Sequence, residues 1–317
     1  MSLAVAIQMD PIESIDIDGD STFSLALEAL ERGHILYHYL PKSLSLRDGS
    51  LLAKAHPLTV RRDKENYFTL EHEQVLELSK TDVVLMRQDP PFDMDYIYAT
   101  YLLEQAEIGG VMVVNKPSSL RDANEKLFSL NFSDYIPKTL VSSNIEQLIA
   151  FINDNKEAIV KPLDGMGGKD IYKLKTGDEN INEVLLRLTN QGQRYIMAQE
   201  FLPEIKQGDK RILLINGIPI DYALARLPAE GSFKGNLAAG AKGVGQPLTE
   251  RDRYLCKKIA PMLIEKELIF VGLDVIGDYI TEINVTSPTG IRELDKQFDL
   301  NISAQLLDVI EEKLALR

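Results

Sequence analysis

Residues 271–292, VGLDVIGDYITEINVTSPTGIR, constrain this chain more than any other stretch. Two β-branched runs flank Gly277-Asp278, and three oxygen-bearing side chains, Asp274, Glu282 and Asn284, are set into them. Side-chain direction repeats every second residue along a strand, so Glu282 and Asn284 share a face. A two-residue turn at Gly277-Asp278 would set Leu273 opposite Glu282 and send Asp274 to the other face. A three-residue loop from Gly277 to Tyr279 instead pairs Asp274 with Glu282, Leu273 with Ile283 and Ile276 with Ile280. That register separates an acidic face from an apolar one, and such separation sets register. The expectation is the odd-numbered loop, against the usual preference for two-residue hairpins. Facing one another, the three side chains are hard oxygen ligands of the kind that bind Mg²⁺ or Mn²⁺. Taken alone, the same spacing suits a solvated edge hairpin with its acids outward, so the rest of the chain decides.

The pattern upstream is that of an α/β protein. Buried-strand runs at 4–9 (AVAIQM), 35–40, 81–86 (TDVVLM) and 111–115 alternate with helical stretches at 21–32 and 95–106. Such alternation with short connections argues a parallel sheet covered by helices. Residues 42–66 read as irregular, with a strand pair near 50–60. The run SSLRDANEKLFSLNF reads as a helix opening a second unit. Strands follow at 135–141, 158–162 and 193–201, a helix at 144–153, and a hairpin at 213–222 around Asn216-Gly217. A helix at 249–265 opens on a Thr249-x-x-Asp252 capping box, with Pro261 as a kink, and a last helix covers 302–316.

A net charge of −13 opposes nucleic acid or anionic membrane as a partner. Anionic substrates remain possible where cations gather in a cleft. No apolar run is long enough to span a membrane and no signal-peptide pattern is present. One cysteine, Cys256, fits a reducing cytoplasm. The four histidines lack metal spacing and no nucleophile motif occurs.

Cations do gather. The run AIVKPLDGMGGKD ends a strand in Lys161 and continues through Gly165, Met166, Gly167 and Gly168. Glycines there let backbone N–H groups approach phosphate oxygens. It is not a P-loop, because Asp170 stands where Ser or Thr is required. Gln199, Glu200, Phe201 and Leu202 form a strand end suited to walling a flat base. Arg87, Arg211 and Arg226 come from separate segments and could clamp a phosphate and a carboxylate bidentately. Residues 231–243 carry four glycines with Lys234 and Asn236 among them, as a mobile lid would.

Together KPLDGMGG, QEFLPEIKQGDKR, ALARLP, KGNLAAG and VGLDVIGDYITEINVTSPTGIRE resemble the bacterial-type glutathione synthetases, ligases of ATP-grasp fold. MDP, MRQDPPFD, YATYLLE and VNKPSSLRDANEKL extend the resemblance over almost the whole chain. It implies an N-terminal parallel-sheet (pre-ATP-grasp) domain at 1–122 and an ATP-grasp fold with a mobile lid at 123–317. The latter would comprise a nucleotide lid subdomain, 123–200, and a catalytic subdomain, 201–317. The implied activity is ATP-dependent joining of γ-glutamylcysteine to glycine through an acyl phosphate, with Mg²⁺ or Mn²⁺, in a cytoplasmic homotetramer. The alternatives are another ATP-grasp carboxylate–amine ligase, of the D-alanine–D-alanine or glutamate-ligase type, or a non-catalytic ATP-binding module.

Residue by residue, the resemblance implies ATP contacts at Lys126, Lys161, Gly165 to Gly168 and Gln199 to Leu202, with Asp209 near the ribose. Asp274, Glu282 and Asn284 fall on the metal positions. Arg211, Arg226, Lys234 and Asn284 would act in catalysis. Arg87, Arg226, Asn236, Ser287, Pro288 and Thr289 would hold substrate. Lys234 stands where arginine is expected, Glu200 where asparagine is, and Ala229-Glu230 where glycine is commoner.

Overall fold

The computed structural model describes residues 2–235, 237 and 240–316. Its first half is built from buried apolar runs. β1 (Ala4–Gln8), α1 (Ser21–Glu31), β2 (Ile35–Tyr39), β3 (Leu44–Arg47), β4 (Ser50–Val60), β5 (Phe68–Leu70), β6 (Gln74–Glu77), β7 (Val83–Met86), α2 (Met94–Ile108) and β8 (Met112–Val114) follow in order. β2, β1, β7 and β8 lie side by side and parallel. Asp20 caps α1 and Asp93 caps α2, each accepting from a backbone N–H of the first turn.

The region expected to be irregular is sheet. β4 is an eleven-residue strand that pairs antiparallel with β2, β3, β5 and β6. Its inward residues Leu51, Ala53, Ala55, Leu58 and Val60 are buried. Charged and polar residues between them, Lys54, His56 and Thr59, break any continuous apolar run. The run SSLRDANEKLFSLNF is likewise not one helix: α3 (Pro117–Asp122) stops, and 3-10 turns continue at Leu127–Tyr135.

A four-stranded antiparallel sheet comes next, from β9 (Thr139–Ser142), β10 (Glu157–Pro162), β11 (Tyr172–Lys175) and β12 (Ile196–Glu200), in the order β11-β10-β12-β9. β9 is shorter than the strand expected from Tyr135. α4 (Ile145–Asn155) and α5 (Ile181–Leu188) bury Leu148, Ile152, Val184 and Leu185 against this sheet in a core of its own. The last sheet, also antiparallel, has the order β15-β14-β13-β16-β17. It comprises β13 (Asp209–Ile215), β14 (Ile218–Leu227), β15 (Lys242–Pro247), β16 (Phe270–Ile276) and β17 (Tyr279–Asn284). Asn216 and Gly217, both at positive φ, turn β13 into β14 as Asn-Gly does in a tight hairpin.

α6 (Glu250–Glu265), α7 (Ile291–Phe298) and α8 (Ile302–Ala315) complete the chain. Pro261 lies inside α6 without ending it. The expected capping box is formed: the Thr249 hydroxyl accepts from the Asp252 N–H, and the Asp252 carboxylate accepts from the Thr249 N–H. Asp252, fully buried, also pairs with Lys210 and so ties the helix to β13. Thr249→Ala should lower stability by about 1 kcal/mol, read as a fall of a few degrees in thermal midpoint. Among the described residues no helix is long and apolar enough to cross a membrane.

Candidate active site

The hairpin of β16 and β17 realises the expected pairing by a different device. Asp274 lies opposite Glu282, Leu273 opposite Ile283 and Gly272 opposite Asn284. Yet Ile276 pairs with Tyr279, not Ile280, so the loop is the two-residue Gly277-Asp278 turn. The register shifts between Asp274 and Val275, where a bulge at Thr281 absorbs one residue. A bulge keeps the favoured short turn and still puts both carboxylates on one face. It also re-aims the backbone: the Thr281 hydroxyl donates to the Asp274 carbonyl, and the Thr281 carbonyl accepts from Lys161 Nζ at 3.2 Å.

Across the sheet the same face carries a ladder of opposed charges. Asp209 on β13 sits opposite Arg226 on β14, and Arg211 on β13 opposite Asp274 on β16. Arg211 grips Asp274 with two bonds, Nε to Oδ1 at 2.5 Å and an Nη to Oδ2 at 3.1 Å. Its other Nη reaches the Thr289 carbonyl at 3.3 Å. Arg226 spans Asp209 Oδ2 at 2.5 Å and Asp274 Oδ2 at 2.9 Å. Glu282 faces the other sheet, 3.0 Å from Lys126 Nζ and 4.0 Å from Lys161 Nζ. Lys126 also donates to the Gly165 carbonyl at 2.7 Å, which fastens the glycine loop to the site. Gly167 and Gly168 in that loop take positive φ, a conformation costly for other residues.

These groups line one cavity of about 340 Å³ between the two antiparallel sheets. Every candidate site residue named from the sequence lines it except Arg87 and Asn236. Asn236 lies outside the described residues. Arg87 is buried at the seam with the first sheet, donating to the Thr22 hydroxyl at 3.0 Å and the Pro288 carbonyl at 2.9 Å. It therefore touches the backbone of the segment that follows β17. On the opposite wall Gln199 donates to Thr139, Glu200 lies 3.7 Å from Lys138, and Lys173 stacks over the Phe201 ring. Lys234 lines the cavity, and Gly235 packs so tightly on Asp209 that a Cβ there would lie 2.6 Å from Asp209 Cβ.

Burial and charge set the protonation states. Burial raises Asp274, but Arg211 and Arg226 outweigh it and hold the carboxyl well below the usual range. Burial likewise opposes ionisation of Glu282, which Lys126 and Lys161 nevertheless hold low. Lys161 is pushed down by burial, with Glu282 resisting, while Glu282 and Glu125 keep Lys126 high against the same penalty. Burial, with the repulsion of Asp274, pushes Asp209 up to about 6 against the pull of Arg226. An acid raised above its unfolded value of about 3.9 binds its proton more tightly when folded. Asp209 therefore costs the fold stability as pH rises from about 4 through 6. Asp209→Asn should flatten the fall in thermal midpoint across that window; a slope equal to the parent's would contradict the assignment.

As a cation site, the acidic face offers two opposed carboxylates and one amide. Asn284 gives its amide nitrogen to the Gly272 carbonyl at 3.2 Å, which leaves its oxygen as the available donor. Among the described residues no three His, Cys, Asp or Glu side chains converge as ligands. Mg²⁺ is usually held by one or two carboxylates plus substrate phosphates, not by an all-protein cage. The donor set fits the ion.

Two contributors escaped the sequence. Glu125, beside Lys126, lines the cavity and accepts three hydrogen bonds from Val285 and Thr286. Asn115 gives its amide nitrogen to the Phe270 and Val285 carbonyls, and its oxygen accepts from the Phe270 N–H. Neither carries a local pattern; both act across more than 150 residues.

Comparison with known proteins agrees with this geometry. Residues 3–121 match the N-terminal domain of prokaryotic glutathione synthetase, and residues 125–299 match its ATP-grasp domain. The glutathione synthetase of Pseudomonas aeruginosa is 50% identical over 317 residues, covering 100% of both chains. That of Escherichia coli is 51% identical over 312 residues, 98% of this chain and 99% of its own. Among solved structures, a D-cycloserine synthetase superposes with a TM-score of 0.69 at 14% identity, covering 98% of this chain and 99% of its own. The D-alanyl-alanine synthetase A of Vibrio cholerae gives 0.62 at 12% identity and covers 99% of each chain. These last two share the ATP-grasp fold. With both halves matched and about half of all residues identical along its length, the chain belongs to the prokaryotic glutathione synthetase family and is an ATP-dependent ligase.

Proposed function

We propose that the chain joins the cysteinyl carboxylate of γ-L-glutamyl-L-cysteine to the amine of glycine, converting ATP to ADP and phosphate through an acyl phosphate. The observation that carries this is the ladder Arg226–Asp209 and Arg211–Asp274–Glu282, facing two lysines and a glycine loop across one cavity.

A carboxylate and an amine do not condense in water, so the carboxylate must be activated. Its oxygen attacks the terminal phosphorus and ADP leaves; the amine then attacks the acyl carbon and phosphate leaves. Lys126 and Lys161 neutralise the ATP phosphates, and the backbone of Gly165, Met166, Gly167 and Gly168 cradles them. Gln199, Glu200, Phe201 and Leu202 wall the adenine, with Asp209 near the ribose. Arg211 and Arg226 stabilise charge on the transferring phosphoryl group, which only a pre-positioned donor does at no further cost in reorganisation. Asp274, Glu282 and Asn284 would hold Mg²⁺ or Mn²⁺, which when bound supplies further neutralisation of phosphate oxygens. Arg87, Asn236, Ser287, Pro288 and Thr289 hold the dipeptide. Residues 231–243, with Lys234, act as a lid that excludes water from the acyl phosphate.

The same proposal divides the chain into a substrate domain at 1–122 and an ATP-grasp domain at 123–317, the latter split at residue 200. It makes the enzyme a cytoplasmic homotetramer. A single buried cysteine supports the reducing compartment, and the resemblance supports the assembly.

The test is ADP release coupled to product mass, with dipeptides and amines supplied singly and together. ADP should appear only with γ-glutamylcysteine and glycine both present, and the product mass should equal their sum less water. Turnover with a pair of D-alanines or a free amino-acid pair would overturn the substrate assignment.

A further inference from the structure

Residues 285–289 follow β17 without regular structure, yet side chains from distant segments take up their backbone polar groups. Asn115 donates to the Val285 carbonyl at 2.7 Å, Arg87 to Pro288 at 2.9 Å and Arg211 to Thr289 at 3.3 Å. Glu125 satisfies the donors. Its Oε1 accepts from the Val285 N–H at 2.9 Å, the Thr286 N–H at 3.0 Å and the Thr286 hydroxyl at 2.7 Å. Its own carbonyl accepts from the Ile283 N–H at 3.0 Å, so the contact continues along the edge of β17.

Among the described residues, Glu125 makes no ion pair, unlike Asp209, Asp274 and Glu282 in the same cavity, and in keeping Lys126 charged it comes second to Glu282. A carboxylate kept only as a counter-charge would sit against a cation. This one spends a single oxygen on two consecutive N–H groups and a hydroxyl, an arrangement that fixes direction.

We propose that Glu125 is a positioning residue for the dipeptide half of the site. Its Oε1 sets the path of Val285 and Thr286, and through them the angle at which Ser287, Pro288 and Thr289 enter the cavity. The inference rests on the proposed reading of residues 287–289 as the dipeptide end.

Full-length Glu125→Ala and Glu125→Gln separate this role from others. The single amide oxygen of glutamine can accept all three bonds; alanine accepts none. Glu125→Ala should raise KM for γ-glutamylcysteine by about tenfold or more, as a displaced binding segment does, with KM for ATP held within about twofold. Glu125→Gln should return the dipeptide KM to within about threefold of the parent. Thr286→Val, which deletes one donor, should give an intermediate rise and add nothing to Glu125→Ala, because the two share one contact. A parental dipeptide KM in Glu125→Ala would overturn the proposal. So would equal impairment of the Ala and Gln variants, which would make charge the working property, or a fall in thermal midpoint and kcat with dipeptide KM unmoved. If Glu125→Ala fails to fold, the Gln and Thr286→Val pair still decides, since a parental KM in Thr286→Val overturns it. A parent enzyme with no γ-glutamylcysteine-dependent ADP release would remove the substrate assignment and this role together, an outcome distinct from an active parent with indifferent variants.

Discussion

Glu282→Gln is expected to reduce ADP release by about 10² to 10³ while the protein stays folded. Glu282 is the group on which three parts of the site meet: it lies opposite Asp274, Lys161 approaches it from β10, and Lys126 approaches it from the segment before the 3-10 turns. Its amide replacement keeps the shape but loses the charge that orders the two lysines and any divalent ion. The fold should survive because the stranded charge has an outlet. Lys161 is already held below the usual lysine range by burial, so it can shed a proton instead of remaining an uncompensated ion. Steady-state turnover measured beside thermal unfolding checks both halves. Unchanged turnover would sink the assignment of Glu282 to the metal and phosphate site.

Arg211→Lys is expected to lose turnover by about 10² or more, despite keeping the positive charge. The guanidinium does three things that an ammonium on a flexible stem does not do at once. It forks onto both oxygens of Asp274 and reaches the Thr289 carbonyl. Lysine can satisfy one of these partners. Arg211→Ala goes further and leaves Asp274 buried beside Arg226 alone, a break of the kind that costs about 3–5 kcal/mol. The two variants should therefore separate: lysine chiefly in kcat, alanine in both kcat and thermal midpoint. Equal rates for arginine and lysine would show that the fork plays no part.

The fold was legible where burial produced unbroken apolar runs. AVAIQM and TDVVLM declared two central parallel strands, and Thr249-x-x-Asp252 declared the start of α6. β4 was not, because its inward residues alternate with Lys54, His56 and Thr59. The pairing of Asp274 with Glu282 followed from separating acidic and apolar faces, yet the loop inferred from it was wrong. Turn geometry and face segregation each demanded satisfaction, and a bulge at Thr281 satisfied both. Residue counting cannot distinguish a longer loop from a short loop with a bulge.

The site was legible to the extent that its residues carried a motif. Lys161 and the glycines after it stand together in sequence, as do Asp274, Glu282 and Asn284. Arg87 was read as a substrate contact; in the structure its guanidinium goes to Pro288 and Thr22, outside the cavity lining. Glu125 and Asn115 lie within VNKPSSLRDANEKL but drew no role, because their work is largely on backbone groups, and any backbone presents those. Only the folded register shows that Val285 gives its N–H to one and its carbonyl to the other.

In the proposed mechanism the dipeptide carboxylate takes up phosphate in this cavity before the amine attacks. γ-Glutamylcysteine labelled with heavy oxygen in both positions of its cysteinyl carboxylate tests that directly. Activation as an acyl phosphate predicts one labelled oxygen in each phosphate released and one retained in the product amide. Unlabelled phosphate from a turnover that still yields the tripeptide would contradict it.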